Sequence, residues 1–124
     1  MVFIDTHIAV WLYNNSTERL SSAGKTALDT NDIFISPVCA LELEYLHEIG
    51  KIKKRPGDVI NLLSELIDLK MDDISMAELI ESAIREKWTR DPFDRMIVAH
   101  ARKRNAILIS ADRIIKKHYK KTLI

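Results

Sequence analysis

RDPFDRMIVAHARKRNAILISADRII, residues 90–115, decides the fold class of this 124-residue chain. Asp91 and Pro92 read as the cap and first residue of a helix that runs to about Arg104. Ala106-Ile107-Leu108-Ile109 is then a short, wholly apolar run, as expected of a strand buried on both faces. Ser110 and Ala111 follow it, and Asp112 then opens a brief helix to His118.

Working outward, the same alternation recurs. Val2-Phe3-Ile4 reads as a strand ending at Asp5, with Thr6 as the cap of a helix to about Tyr13. Ser21 or Ser22 caps a second helix ending near Asn31. Ile33-Phe34-Ile35 is a strand, and Ser36-Pro37 opens a helix to Glu48. GKIKKRP, residues 50–56, is a basic, turn-like break. Beyond it Pro56 and Asp58 lead into an amphipathic helix with an apolar stripe of Val59, Leu62, Leu63, Leu66 and Ile67. Residues 69–74 suit a short edge strand. Ser75, with Glu78 three residues on, caps the next helix. Thr122 to Ile124 form a last strand. Short apolar strands alternating with amphipathic helices imply an α/β fold, one domain over 1–124, with a parallel sheet covered on both faces. The ligand crevice of such a sheet lies beyond the carboxyl ends of its strands.

Hydrophobic residues make up 47% of the chain, enough for a core without staples. Lys and Arg total 19 against 18 Asp and Glu, a formal charge of +1, which argues against nucleic-acid binding by bulk charge alone. Cys39 is the one cysteine, so neither an internal disulfide nor a cysteine zinc site is expected. A reducing, cytoplasmic setting fits. The N-terminus does not read as a signal peptide, and no run approaches the roughly 18 apolar residues of a membrane helix.

Four acids fall at carboxyl edges of predicted strands or in adjacent helix starts: Asp5, Glu42, Asp94 and Asp112. Capping explains each one taken singly. Because Thr6 is as good a cap as Asp5, Asp5 is free to face the crevice. Glu42 borders a stripe of Val38, Leu41, Tyr45 and Leu46 expected to be buried, while Glu44 lies about 200° round the helix, in solvent. Asp91 caps its helix and Asp94 sits at the third position, where the helix dipole favours ionised carboxylates. Taken together, the four repel: two like charges about 4 Å apart cost roughly 4 kcal/mol at an effective dielectric near 20. They must protonate, splay or recruit a cation. An all-oxygen set suits Mg²⁺ or Mn²⁺, ions that promote phosphodiester cleavage.

His7, His47, His100 and His118 lack metal-ligand spacing. His7 neighbours Asp5; His100 shares a helix face with Phe93, Met96 and Ile97 and reads as core, as does Cys39. Trp11 and Trp88 read as packing or interface residues. Arg90 and Arg95 flank the Asp91–Asp94 pair as charge partners or phosphate contacts. The basic runs Lys51, Lys53, Lys54, Arg55 and Lys116, Lys117, Lys120, Lys121 are the best places for backbone phosphates.

VFIDTHIAVWL (2–12), ISPVCALELEYLHEIGKI (35–52) and residues 90–115, in this order, resemble the PIN-domain proteins, specifically the VapC-like toxins of toxin–antitoxin pairs. Position by position, Asp5, Glu42, Asp94 and Asp112 match the family's metal-site acids. Thr6 and Ser110 match supporting hydroxyls, Ser110 where the family often has Thr. Asp91 belongs to a DPFDR variant of the motif and is an auxiliary candidate. Residues 56–88 carry nothing diagnostic. The resemblance implies a three-layer α/β/α sandwich and an Mg²⁺- or Mn²⁺-dependent endoribonuclease acting on RNA. It also implies a homodimer and inhibition by a cognate antitoxin. The competing expectation is a PIN-fold module that binds RNA or protein without cutting. A receiver-like phosphoacceptor domain would want a Lys just after a late strand, and LISADR lacks it.

Overall fold

The computed structural model describes residues 1–124. Five short strands, β1 (Val2–Ile4), β2 (Ile33–Ile35), β3 (Lys70–Met71), β4 (Ile107–Ile109) and β5 (Thr122–Leu123), form one parallel sheet in the order β3-β2-β1-β4-β5. Seven helices flank it: α1 (Thr6–Tyr13), α2 (Ser22–Thr30), α3 (Pro37–Glu48), α4 (Pro56–Ile67), α5 (Met76–Ala83), α6 (Pro92–Lys103) and α7 (Arg113–His118). This is the expected α/β/α arrangement. No helix is long and apolar enough to cross a membrane.

The three central strands are wholly apolar; β1 and β2 end directly at the helix caps Asp5 and Ser36, and Ser110 and Ala111 separate β4 from the cap Asp112. Val2, Phe3, Ile4, Leu108 and Ile109 are at most 1% exposed, as a sheet covered on both faces demands. Register places Ile4 beside Ile35 on one side and Ile109 on the other. Strand order reverses between β1 and β4, so the helices that follow them diverge and open a crevice at their carboxyl ends. The Asp5 amide donates to the Ile109 carbonyl (3.1 Å), fixing the two chain exits side by side.

Several sequence expectations shift. The edge strand shrinks from 69–74 to Lys70–Met71, because Asp72 turns inward to a buried polar network. Its carboxylate accepts from His100 Nε2 (2.7 Å) and from Arg104 (2.8 and 3.0 Å), while His100 Nδ1 meets the Ser36 hydroxyl (2.8 Å). His100 is fully buried and hydrogen-bonded, as expected of a core histidine. The buried face of α3 is Val38, Cys39 and Leu43 rather than the stripe through Leu41 and Tyr45, which are 63% and 50% exposed. Glu44 is ion-paired with Arg55 (3.2 Å) rather than simply solvated. In α4, Val59 and Leu63 are buried but Leu66 faces solvent.

Candidate metal centre

Three of the acids are set by the same local device. Asp5, Asp91 and Asp112 are the N-caps of α1, α6 and α7. Asp5 Oδ1 accepts from the Ile8 amide (2.9 Å). Asp91 Oδ1 accepts from Phe93 (2.8 Å) and Asp94 (3.2 Å), and Asp112 Oδ1 from Ile114 (2.8 Å) and Ile115 (3.2 Å). Thr6 is therefore not the cap of α1, contrary to expectation. Asp5 takes that role because its extended backbone and short side chain bring an oxygen over the first turn. Capping occupies one carboxylate oxygen in each case and orients the other. Cap and ligand are compatible roles here.

Released from capping, the Thr6 hydroxyl donates to Glu42 Oε1, joining the starts of α1 and α3. Glu42 is half-buried on the side of α3 next to Cys39 and Leu43, and so faces inward. Ser110, 2% exposed, accepts the Asp112 amide (3.1 Å) and lies beside Asp5. Asp94, one turn into α6, makes no side-chain hydrogen bond. All of Asp5, Thr6, Glu42, Asp91, Asp94 and Asp112 line one cleft of about 400 Å³. Ser110 stands behind it.

Electrostatics in the cleft run against one expectation. Helix position was expected to keep Asp94 ionised. Instead its carboxyl is pushed up to about 7, by burial first and then by Asp91, Asp112, Glu42 and Asp5. Crowding by like charges outweighs one helix terminus. Burial also raises Asp5, against the opposing pull of the Ser110 hydroxyl, the Ile8 amide and His7. Cys39, behind the acids, is driven up to about 12, chiefly by burial, and is an inert core thiol.

The donor set fits a hard divalent cation: every candidate ligand is an oxygen, and the acids raise one another's affinity for positive charge. No three of these side chains are already gathered into a ligand group. The caps hold Asp5, Asp91 and Asp112 in place and Thr6 holds Glu42, leaving Asp94 as the one of these acids whose side chain is unbonded.

The basic residues are placed differently from expectation. Lys51, Lys53 and Lys54 line a separate hollow with Val10, Tyr13 and Asn14, at the end of α1 away from Asp5. Tyr13 and Asn14 on its wall lie at the far end of the eight-residue helix α1, roughly 12 Å along its axis from Asp5. Arg95 donates to the Thr89 carbonyl (2.7 Å), and neither it nor Arg90 lines the cleft. The cleft's own basic residues are His7 and Arg19, and Trp11 joins them on the wall. Arg19 had no sequence signal of its own. Trp11 had one, since its i, i+4 spacing from His7 puts both on one face of α1 beside Asp5. Trp88 is a packing residue as expected, stacked on His118 at 5.0 Å and bonded to Glu86 (2.7 Å).

Two similar solved structures are VapBC2 from Rickettsia felis bound to a DNA fragment from its promoter, and a toxin–antitoxin complex from Klebsiella pneumoniae. The first is 22% identical with a TM-score of 0.66, covering 99% of this chain and 96% of that one. The second is 16% identical with a TM-score of 0.65, covering 100% and 97%. No curated protein matches the sequence. The family model of the PIN domain matches residues 2–121, nearly the whole chain and every acid of the cleft. The chain belongs to the PIN domain family.

Proposed function

We propose that the chain is a single PIN domain acting as an Mg²⁺- or Mn²⁺-dependent endoribonuclease, the VapC-like toxin of a cytoplasmic toxin–antitoxin pair. The observation that carries this reading is the convergence of Asp5, Glu42, Asp94 and Asp112 on one cleft, where burial first and then the neighbouring acids lift the Asp94 carboxyl to about 7. Such crowding costs stability in the free protein and is relieved by a cation. Likeness to toxin–antitoxin complexes supports the biological role and an antitoxin partner. A homodimer is part of the same proposal.

Asp5, Glu42, Asp94 and Asp112 would hold the ion, with Asp91 at the rim. A divalent cation there activates water and stabilises charge on the phosphate being cleaved. The chain's residues prepare the site for it. Helix caps fix Asp5 and Asp112, and Ser110 braces both. The Thr6 hydroxyl aims Glu42. Burial and the neighbouring acids oppose the ionised form of Asp94, and a cation there would favour it.

The test is cleavage of single-stranded RNA with Mg²⁺ or Mn²⁺ by wild type and Asp5→Asn. Asn caps a helix about as well as Asp, so the fold is kept while a charged ligand is lost. We expect activity to fall by at least the ~100-fold that weaker second-shell losses reach. Equal rates refute the proposed site. RNA binding by antitoxin-free wild type without cleavage supports a binding module instead.

A further inference from the structure

An acid-lined cleft that takes a polyanion needs positive charge beyond one ion at the scissile phosphate. Arg19 is the only Arg or Lys on the cleft wall. It sits in the short 3-10 turn Thr17–Arg19, is exposed, and lies over the Trp11 ring with its guanidinium carbon 5.1 Å from the ring centre. Although it shares a cleft with acids, it forms no salt bridge to any of them, whereas Arg55, Arg85, Arg102 and Arg104 all pair with carboxylates. The cation–π contact with Trp11 holds the guanidinium at the wall and leaves its N–H donors uncommitted. Ser16, Thr17 and Leu20 are partly or fully buried, so the turn that carries it is anchored.

We propose that Arg19, held over Trp11, binds the RNA phosphate adjacent to the one being cleaved, and that the pair sets the cleft's grip on single-stranded RNA. This rests on the ribonuclease reading above. The guanidinium supplies paired donors to phosphate oxygens, and its free face offers a base a surface to stack on. Lys at this position would keep the charge but lose the stacked plane. Arg19 contacts substrate without touching the acids, so its contribution is to binding.

The experiment compares wild type, Arg19→Ala and Arg19→Lys in two measurements. Binding of a labelled single-stranded RNA is followed by anisotropy in EDTA over a series of salt concentrations, where no cleavage occurs. Cleavage kinetics are followed with Mn²⁺. Arg19→Ala is expected to bind about 10-fold more weakly. Its plot of log affinity against log salt should be shallower by about 0.7, one phosphate contact on a single strand. KM should rise with kcat retained. Arg19→Lys should recover the salt slope but only part of the affinity. Unchanged affinity and slope in Arg19→Ala, beside a wild type that binds and cuts, overturn this inference alone. So does a loss confined to kcat, which would make Arg19 act through the acids. A wild type that neither binds nor cuts RNA overturns the ribonuclease reading itself, and this inference with it.

Discussion

Replacing Asp94 by Asn isolates the electrostatic cost of the cleft. Asn is nearly the same size, and the Asp94 side chain makes no hydrogen bond that would be lost. In the metal-free protein its carboxyl sits at about 7 instead of 3.8. At 1.36 kcal/mol per pKa unit that displacement corresponds to roughly 4 kcal/mol. Asp94 is only half-buried, so solvent screening reduces this to ~1–2 kcal/mol. The sign follows from linkage. Between about pH 4 and pH 7 the native state holds the proton that the unfolded chain has lost, so wild-type stability falls as pH rises through that window. Below it the penalty is absent; above it the penalty is complete. Asp94→Asn is therefore expected to match wild type near pH 4 and to exceed it at pH 7.5 in EDTA. The gain in Tm should be roughly 4–8 °C, at about 4 °C per kcal/mol for a chain of this size. Adding Mn²⁺ should reverse the order, since wild type gains ~2.7 kcal/mol at a hundred times its Kd and the variant gains less. Thermal melts at the two pH values, with and without Mn²⁺, read all of this. A variant no more stable than wild type at pH 7.5, or one equally stabilised at pH 4, refutes the crowding argument.

Other outcomes follow from the same structure. Asp72→Ala strips His100 and Arg104 of their shared partner, and should cost ~2–3 kcal/mol by urea denaturation. Although burial works to raise it, bonds from Arg104 and His100 hold Asp72 below the usual carboxylate range, so the deficit should shrink as pH falls below about 4. A Cβ at Gly24 meets the backbone carbonyl of Ile124, which also accepts from the Ser21 amide (2.9 Å). Gly24→Ala should lose ~1–3 kcal/mol in a melt, and deleting Ile124 from the variant should recover part of it. Met76, Ile80 and Ile84 form an exposed stripe along α5 (66%, 40% and 60%). If the proposed homodimer uses it, Ile80→Asp should lower the mass seen by light scattering while Tm of the dilute protein stays within a few degrees.

Much of the candidate site is legible in the sequence because its positions are tied to local structure. An Asp at the end of an apolar strand caps the following helix, and both the strand and the cap can be read from neighbouring residues. That is why Asp5, Asp91 and Asp112 could be located, even though Thr6 was given the wrong share of the capping. Glu42 was found on a mistaken helix face. Leu41 and Tyr45, taken with Val38 and Leu46 as the buried stripe, have the i, i+4 spacing of a buried face yet are exposed, and only the partner surface distinguishes the two cases. Likewise, Leu66 fits the period of α4 but meets nothing.

The alternation of strands and helices, the candidate acids and the oxygen-only chemistry they permit can be read from local sequence. These depend on spacing over a few residues. Tertiary structure alone decided that β1 and β4 lie side by side at the point where strand order reverses, bringing Asp5, Asp94 and Asp112 into one cleft. It also brought burial and like charge together on Asp94 and Asp5, and it turned Arg19 rather than the lysine runs to the cleft. The reason is physical: Coulomb interactions depend on distance and burial, and neither is a property of neighbours along the chain.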